Sequence, residues 1–475
     1  MYLKRIDKRN LITFLIPFCL FMFLLLVFSP GIISYDSNNQ WEQIVSGNIN
    51  NAHPFFTTYF MLLLSKIWNS PTVVLVFQVF IFSYFWMNIA RIIRENNKKS
   101  FKKILIYTIV ISFIPIISLY SITLWKDILY SYYLMFIIYY IYKGIKNNFD
   151  YSYLDTLNVG ILVTLVFCYR HNGMIVAFLL LISFFIIFLK NKLNMKKIIL
   201  TILVFLSLNG LISIPKNFYL EKLKKNEIPK ESLSTIDSYM VWMYGAHLHD
   251  DNISEDDLKK LNNVIPIDEW KIAYNPYLIN NIGFYEKDVV YYNENKDYFR
   301  KLFIETSLKH PLTIIEHYLK ADSLLWSPIP LSGRYVYTFD YTEWWPDYEF
   351  NNGELYGYEG SKIEFPFIKK IVEKLASYTL RFPISIIYYP ALALYASMLL
   401  VYMLIKQNKN KKYWLLLTPC LFNTLSLLPI NLAQDLRYVY INYLTLLVVG
   451  LIFIVEYDFV KIRILLNKIV KKTSK

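Results

Sequence analysis

Long apolar runs such as Leu11 to Phe28 recur along this chain, and they constrain its fold more than any other feature. Hydrocarbon offers no water to satisfy backbone N–H and C=O groups, so a run of about 20 apolar residues that crosses a bilayer has to be helical. Runs of this kind lie at 11–30, 72–90, 104–122, 128–142, 153–169, 173–189, 197–214, 382–405, 413–430 and 438–456. With 55% hydrophobic and 18% aromatic residues among 475, the sequence reads as an α-helical polytopic membrane protein and not as a soluble globule. The 128–142 run is short for a span. The first run follows a basic start but has no small-residue cleavage site, so it is expected to stay as a helix and not act as a removable signal.

Lys and Arg decide the sidedness. A shorter apolar stretch, 53–68, is ambiguous, and counting it as a span would move every later loop to the other face. If it lies at the outer surface, the segments 1–10, 91–103, 143–149, 190–197, 406–412 and 457–475 hold 26 Lys and Arg, while the opposite short loops hold only Lys66, Lys126, Arg170 and Arg437. Cytoplasmic loops carry the positive excess. The expectation is therefore about 10 transmembrane helices plus an outer-surface juxtamembrane helix, with both termini cytoplasmic.

The same division explains a formal charge of +14. Residues 216–381 hold 20 Lys and Arg against 26 Asp and Glu, so the basic excess sits on the cytoplasmic rim, beside anionic lipid. Nothing in this pattern calls for nucleic acid. The 216–381 segment is long enough for a mixed extracytoplasmic domain, with loops and short strands expected in the Pro-, Gly-, Trp- and Tyr-rich stretch from Leu324 to Gly360. The layout is thus 1–215 as an N-terminal membrane module with its first outer loop at 31–71, then 216–381 outside, then 382–475 as C-terminal helices and a basic tail. Cys19, Cys168 and Cys420 fall within or at the ends of apolar runs and read as packing residues.

Five polar clusters interrupt the apolar pattern where spans meet the outer face: "YDS" at 35–37, "AHP" at 52–54, "LWKD" at 124–127, "YRHNG" at 169–173 and "AQDLRY" at 433–438. Ionisable groups at membrane depth are costly, which makes them functional candidates by default. Taken singly, each has an ordinary explanation. Asp36 or Ser37 could cap a helix running to Gly47, His53 could precede a helix with Pro54 at its first position, and Lys126 with Asp127 or Asp435 with Arg437 could be local ion pairs. Arg170 and His171 could be headgroup contacts. What outweighs these readings is that all five clusters land on one face under a topology fixed by other residues.

"YDSNNQW" after a first span, then a "HP" helix start, "LWKD", "YRHNG" and "DLRY" resemble the GT-C superfamily of integral-membrane glycosyltransferases. Protein mannosyltransferases and lipid A aminoarabinose transferases belong to it, and a bacterial branch usually placed there is the nearer likeness. The resemblance implies that the first-loop carboxylate, Asp36, is the catalytic base. Many members carry two adjacent acids there, whereas Ser37 follows Asp36 here, a departure that argues against a metal-binding version and leaves the divalent metal requirement open. It also implies a bacterial plasma-membrane enzyme with an extracytoplasmic site.

The chemistry is coherent on its own terms. A sugar on polyprenyl phosphate is already activated, because the departing phosphate is a stable anion. What remains is to take the proton from the acceptor hydroxyl, for which Asp36 is the general base, and to neutralise the phosphate with Arg170, Arg437 and Lys126. His53 and His171 are expected to orient Asp36 or the donor, and Asp127 and Asp435 to position the cations. The acceptor would be a cell-envelope glycan, lipid or protein, held by the outer domain, with Trp326, Trp344 or Trp345 as stacking candidates. A transporter or lipid-glycan flippase is the principal alternative, but such folds place binding groups near the midplane on broken, repeated halves. A scaffold is a third. "HLHDD", His247 to Asp251, has ligand-type residues at a spacing that fits no standard zinc motif and reads as a solvated loop.

Overall fold

A computed structural model describes residues 7–97, 100–190, 195–226, 233–332, 365–429, 431 and 433–458. The described residues are overwhelmingly helical and contain no strand, only one isolated parallel bridge between Ile32 and Thr123. The mixed character expected of the outer domain is therefore not seen among them. The stretch for which short strands were expected falls mostly in 333–364, outside the described residues, as do Trp344 and Trp345.

Six helices are long and apolar enough to cross a membrane, or seven if one bent pair counts as a single span. These are α1 (Lys8–Val27), α4 (Thr72–Asn96), α7 (Lys126–Lys146), α10 (Met195–Asn226), α19 (Pro390–Asn408) and α21 (Tyr440–Glu456). The run at 128–142 that looked short belongs to the 21-residue α7, long enough to span. Conversely, 104–122 is not one rod: α5 (Phe101–Ser112) stops and a second piece from Pro115 to Ile122, containing α6 (Pro115–Ser118), turns away by 77°. Pro115 lacks the N–H that would continue the helix and restricts the residue before it. The stretch 413–430 likewise splits into a 3-10 turn, Lys411–Leu417, and the ten-residue α20 (Thr418–Leu427). Two further apolar helices, α8 (Tyr153–Tyr169) and α9 (Gly173–Lys190), are shorter, and the stretch at 53–68 forms α3 (Phe55–Ser65).

Helix α7 is the axis of the bundle. Nearly all of its side chains are buried, including the six tyrosines from Tyr130 to Tyr142, of which Tyr132 and Tyr133 pack as rings against α4, α8 and α21. At the periphery, α9 and α10 expose Ile182, Phe185, Leu203, Leu206 and Leu211, an arrangement that suits hydrocarbon and not water. Polar contacts gather at the two ends of α7. At its C-terminal end Lys143 pairs with Asp155 at 2.7 Å, Lys146 with Glu456 at 2.6 Å and Lys197 with Asp150 at 3.5 Å. Its N-terminal end carries a second charged layer. At 1.5 Å per residue the two layers stand about 25 Å apart, close to the thickness of a bilayer core.

A separate helical domain, α11 (Thr235–His249) through α16 (Pro311–Ala321), has its own core around Trp242, Tyr244, Trp270, Tyr292 and Phe299. Between its ends run α12 (Glu255–Asn262), α13 (Ile267–Ala273), α14 (Val289–Glu294) and α15 (Lys296–Lys309). On its N-terminal side α10 continues past residue 215 to Asn226. On its C-terminal side the short α17 (Ser323–Trp326) already belongs to the bundle core, through Leu324 and Leu325. After the segment 333–364, α18 (Pro366–Thr379) leads back to α19.

Candidate functional site

The first loop is locked beside the start of α7 by its backbone. Ile32 N–H donates to Ile122 O and Leu124 N–H to Ile32 O, both at 2.9 Å, which sets residues 32–36 against "LWKD". Gly31 makes the entry turn with φ +124°, and a Cβ there would meet the Leu75 side chain at 1.9 Å, so only glycine fits. Helix α2 (Tyr35–Ser46) then begins with a capping box in which Ser34 and Ser37 satisfy each other's backbone N–H groups, and it ends at Gly47 in the left-handed region. Ser37 also donates to Leu124 O, and the Trp125 indole N–H donates to Ser34 Oγ at 2.5 Å. The cap is thus Ser34, with Ser37, and not Asp36. On this helix Trp41 is buried, whereas Val45 is largely exposed.

Freed from capping, Asp36 joins a chain of alternating charge. Asp435 Oδ2 contacts Arg437 Nε at 2.9 Å, Arg437 Nη1 donates to Asp36 Oδ2 at 2.6 Å, and Asp36 Oδ2 lies 3.9 Å from Lys126 Nζ. Lys126 in turn lies 3.9 Å from Asp127 Oδ2, and Asp127 Oδ1 contacts Arg170 Nε at 2.9 Å. Three carboxylates and three cations from four distant segments form one continuous line, with the Asp36–Arg437 link joining residues 401 positions apart. The local pairs read from sequence, Lys126 with Asp127 and Asp435 with Arg437, are present as links of this line. Asp435 also accepts the Arg437 backbone N–H at 3.0 Å, capping a 3-10 turn (Leu436–Val439).

The histidines serve Lys126 and the loops. Since an ammonium only donates, Lys126 Nζ donates to His53 Nδ1 at 3.3 Å, leaving the His53 proton on Nε2. His171 Nε2 donates to Ala52 O at 3.3 Å, tying the "YRHNG" turn to the "AHP" loop. Neither hydrogen bond reaches Asp36. The proline of "AHP" precedes α3 as its cap residue, one position earlier than expected. Gly173 lets α9 start against α8: a Cβ there would sit 2.1 Å from Val166 O.

Burial opposes ionisation of Asp36, yet the Arg437 and Lys126 charges outweigh it and hold the carboxyl well below the usual carboxylate range. Burial, reinforced by Lys126, pushes His53 down to about 4, so it is neutral at pH 7. Asp435 behaves oppositely: burial raises it to about 6 against the pull of Arg437. Exposure separates the members further. The Asp36 side chain is 28% exposed, Lys126 15% and Arg437 12%, whereas Asp127 at 1% is sealed inside. Asp36, Lys126 and Arg437 thus form the accessible edge. Beneath Lys126 lies a cavity of about 20 Å³ walled by Phe60, Leu129 and Tyr169, room for a single water.

No family model, curated protein or solved structure matches the chain. The likeness to GT-C enzymes accordingly rests on the short sequence motifs alone. All eight sequence candidates, Asp36, His53, Lys126, Asp127, Arg170, His171, Asp435 and Arg437, meet at one end of α7. Trp326 lies at the end of α17, 39% exposed, its indole N–H donating to Leu319 O. Sequence reasoning passed over the aromatic supports. Arg437 lies over the Trp125 ring at 4.9 Å and the Tyr438 ring at 5.2 Å, and Arg170 lies over Tyr438 at 5.1 Å and Tyr130 at 5.5 Å. The signal was available, because Trp125 and Tyr438 flank the cations inside "LWKD" and "DLRY". Gln78, which donates to the Tyr120, Ser121 and Thr123 carbonyls, carried no comparable mark in sequence.

Proposed function

We propose that this chain is an integral-membrane glycosyltransferase of GT-C type. It moves a sugar from a polyprenyl-phosphate donor to a cell-envelope acceptor at the outer face of a bacterial plasma membrane. The observation that carries this reading is the alternating charge line with a partly exposed carboxylate, Asp36, at a helix start between Arg437 and Lys126. It supplies a proton acceptor and phosphate-binding cations within one cluster.

Lys126 is the loosest member of the line. Both of its carboxylate contacts are 3.9 Å, beyond hydrogen-bonding distance, while the arginine contacts are 2.6 to 2.9 Å. A lipid phosphate therefore takes Lys126 first and then competes with Asp36 for the Arg437 fork. Arg170, held by Asp127 and by the Tyr438 carbonyl at 3.2 Å, supports the cluster from behind. As the phosphate draws Arg437 away, Asp36 loses the charge that kept its carboxyl so acidic and becomes a better base. The acceptor oxygen then attacks the anomeric carbon, and its proton passes to Asp36. The bond from that carbon to the phosphate oxygen breaks, and the electron pair leaves with the lipid phosphate. A single displacement inverts the anomeric configuration.

The finer topology belongs to the same proposal. The shorter α8 and α9, the bent α5 pair and the split 411–427 stretch complete about ten crossings. Helix α3 lies at the outer surface, and both termini are cytoplasmic. The test is transfer of label from a polyprenyl-phosphate sugar in membranes with and without the protein. Identical label distribution in the two membranes, across a panel of donors, refutes the enzyme reading.

A further inference from the structure

The helical domain at 233–321 holds a second cluster that the transferase reading does not use. His249 at the end of α11, Asp250 just after it and His317 on α16 point one ligand atom each into a common space, all within 4.8 Å of one another. His249 Nδ1 lies 2.9 Å from Asp250 Oδ1, and His317 Nε2 lies 3.6 Å from the same oxygen. A tetrahedral zinc ion with bonds of about 2.0–2.1 Å needs ligand atoms about 3.3 Å apart, a value these two edges bracket. The third edge can close because the His249 side chain is 66% exposed and free to turn, whereas His317 at 2% is fixed.

The atoms behind the ligands are also engaged. The Tyr274 hydroxyl hydrogen-bonds His317 Nδ1, so that Nε2 is the nitrogen turned to Asp250. Thr313 Oγ1 donates to Asp250 Oδ2 at 2.7 Å, and Asn252 Nδ2 donates to Thr313 Oγ1 at 3.0 Å. Oδ1 is thereby the oxygen presented to both histidines. Outer partners of this kind orient metal ligands, and two imidazoles with one carboxylate suit zinc. The sequence spacing of "HLHDD" hid the set, because the third ligand comes from another helix.

We propose that His249, Asp250 and His317 form a binding site for one divalent transition-metal ion of the zinc class, which pins α11 to α16 in the helical domain and keeps one position open to solvent. The site also braces the charge line. One turn beyond His317, the Ala321 carbonyl accepts hydrogen bonds from Asn431 and Gln434, each at 2.7 Å, and Ser323 Oγ donates to Gln434 Oε1 at 2.9 Å. Those residues lie in the loop that ends at Asp435 and Arg437, so metal occupancy stiffens the segment presenting Arg437.

Binding of Zn²⁺ and Co²⁺ to the purified full-length protein tests this independently of any transfer activity. After chelation and dialysis, titration is expected to show one strong Zn²⁺ equivalent, a rise in Tm on loading and a visible Co²⁺ spectrum of low-symmetry sites. Since His249 is exposed, His249→Ala is expected to fold normally. It should lose the strong equivalent by more than the roughly 10- to 100-fold that a missing outer partner costs. Tyr274→Phe, which removes only the hydroxyl on His317, should weaken Zn²⁺ by about that 10- to 100-fold factor itself. Equal Zn²⁺ affinity in the wild type and His249→Ala, or no strong equivalent in the wild type, overturns the assignment.

Discussion

Asp36→Asn separates a catalytic carboxylate from a structural one, because the helix cap is elsewhere. Ser34 and Ser37 cap α2, so the substitution leaves the cap intact. Asn also keeps an oxygen that can accept from Arg437, and Arg437 retains Asp435 at 2.9 Å, so no buried cation is orphaned. The stability loss is bounded by one charge-assisted hydrogen bond, about 1.5 to 3 kcal/mol. Catalysis should suffer more. Asn takes no proton near neutral pH, and general-base action is worth roughly 100- to 10,000-fold. That range corresponds to about 3 to 5 kcal/mol of barrier. The assay is the initial rate of label transfer from polyprenyl-phosphate sugar in proteoliposomes, normalised to the monodisperse folded fraction, with donor binding measured alongside. Donor binding should persist or tighten, since the donor phosphate no longer competes with a carboxylate for Arg437. A well-folded Asp36→Asn protein with wild-type transfer would falsify the base assignment and leave Asp36 as an ion-pair partner only.

Arg437→Lys keeps the charge but cannot bridge Asp36 and Asp435 with separate nitrogens. It should cost roughly 100- to 1,000-fold in turnover, read in the same assay against an unchanged melting profile. Asp322, where α16 meets α17, is raised by burial to about 7 against an unfolded value near 3.8. The folded state therefore holds more protons between those values, and stability falls as pH rises through them. The effect is at most about 4 kcal/mol, and Asp322→Asn should flatten this slope in Tm measured from pH 5 to 8. Gly173→Ala drives a Cβ to 2.1 Å from Val166 O and should cost about 1 to 3 kcal/mol, read as a lower Tm together with weaker donor binding through the displaced Arg170 turn. A cysteine at Asn69, which is exposed, should be labelled from outside by an impermeant thiol reagent, and one at Asn96 only after permeabilisation; the opposite pattern reverses the membrane orientation.

The parts of this architecture that were legible in sequence are those governed by solvent. Apolar runs mark helices in hydrocarbon, and Lys and Arg mark helix ends, so the gathering of charge at the two ends of α7 follows from local composition. What composition does not encode is where a long run breaks. Pro115 divides 104–122, and Thr418 begins a helix after a 3-10 turn, although hydropathy stays high across both. Side-chain pairing is equally hidden. "SYDS" offers two serines and an acid at one helix start, and only the fold shows that Ser34 and Ser37 take the backbone N–H groups and leave Asp36 to Arg437. In the helical domain, His249 and Asp250 are adjacent in sequence, but their partner His317 is set by how α16 packs.

Taken together, the contacts of the charge line constrain what ligand it accepts. Three carboxylates face three cations, His53 is neutral, and the cluster is electrically balanced. A neutral ligand gains nothing by separating these pairs in a low-dielectric setting, and a cation would have to displace arginines held at 2.6 to 2.9 Å. An anion is different: it replaces Asp36 as the partner of Arg437 and meets Lys126 at its loose contacts. The displaced carboxylate then gains basicity beside the bound anion. Balanced charge with one weak link therefore favours an anionic ligand whose arrival switches on a base, and a phosphate-linked sugar supplies both the anion and the bond to be broken.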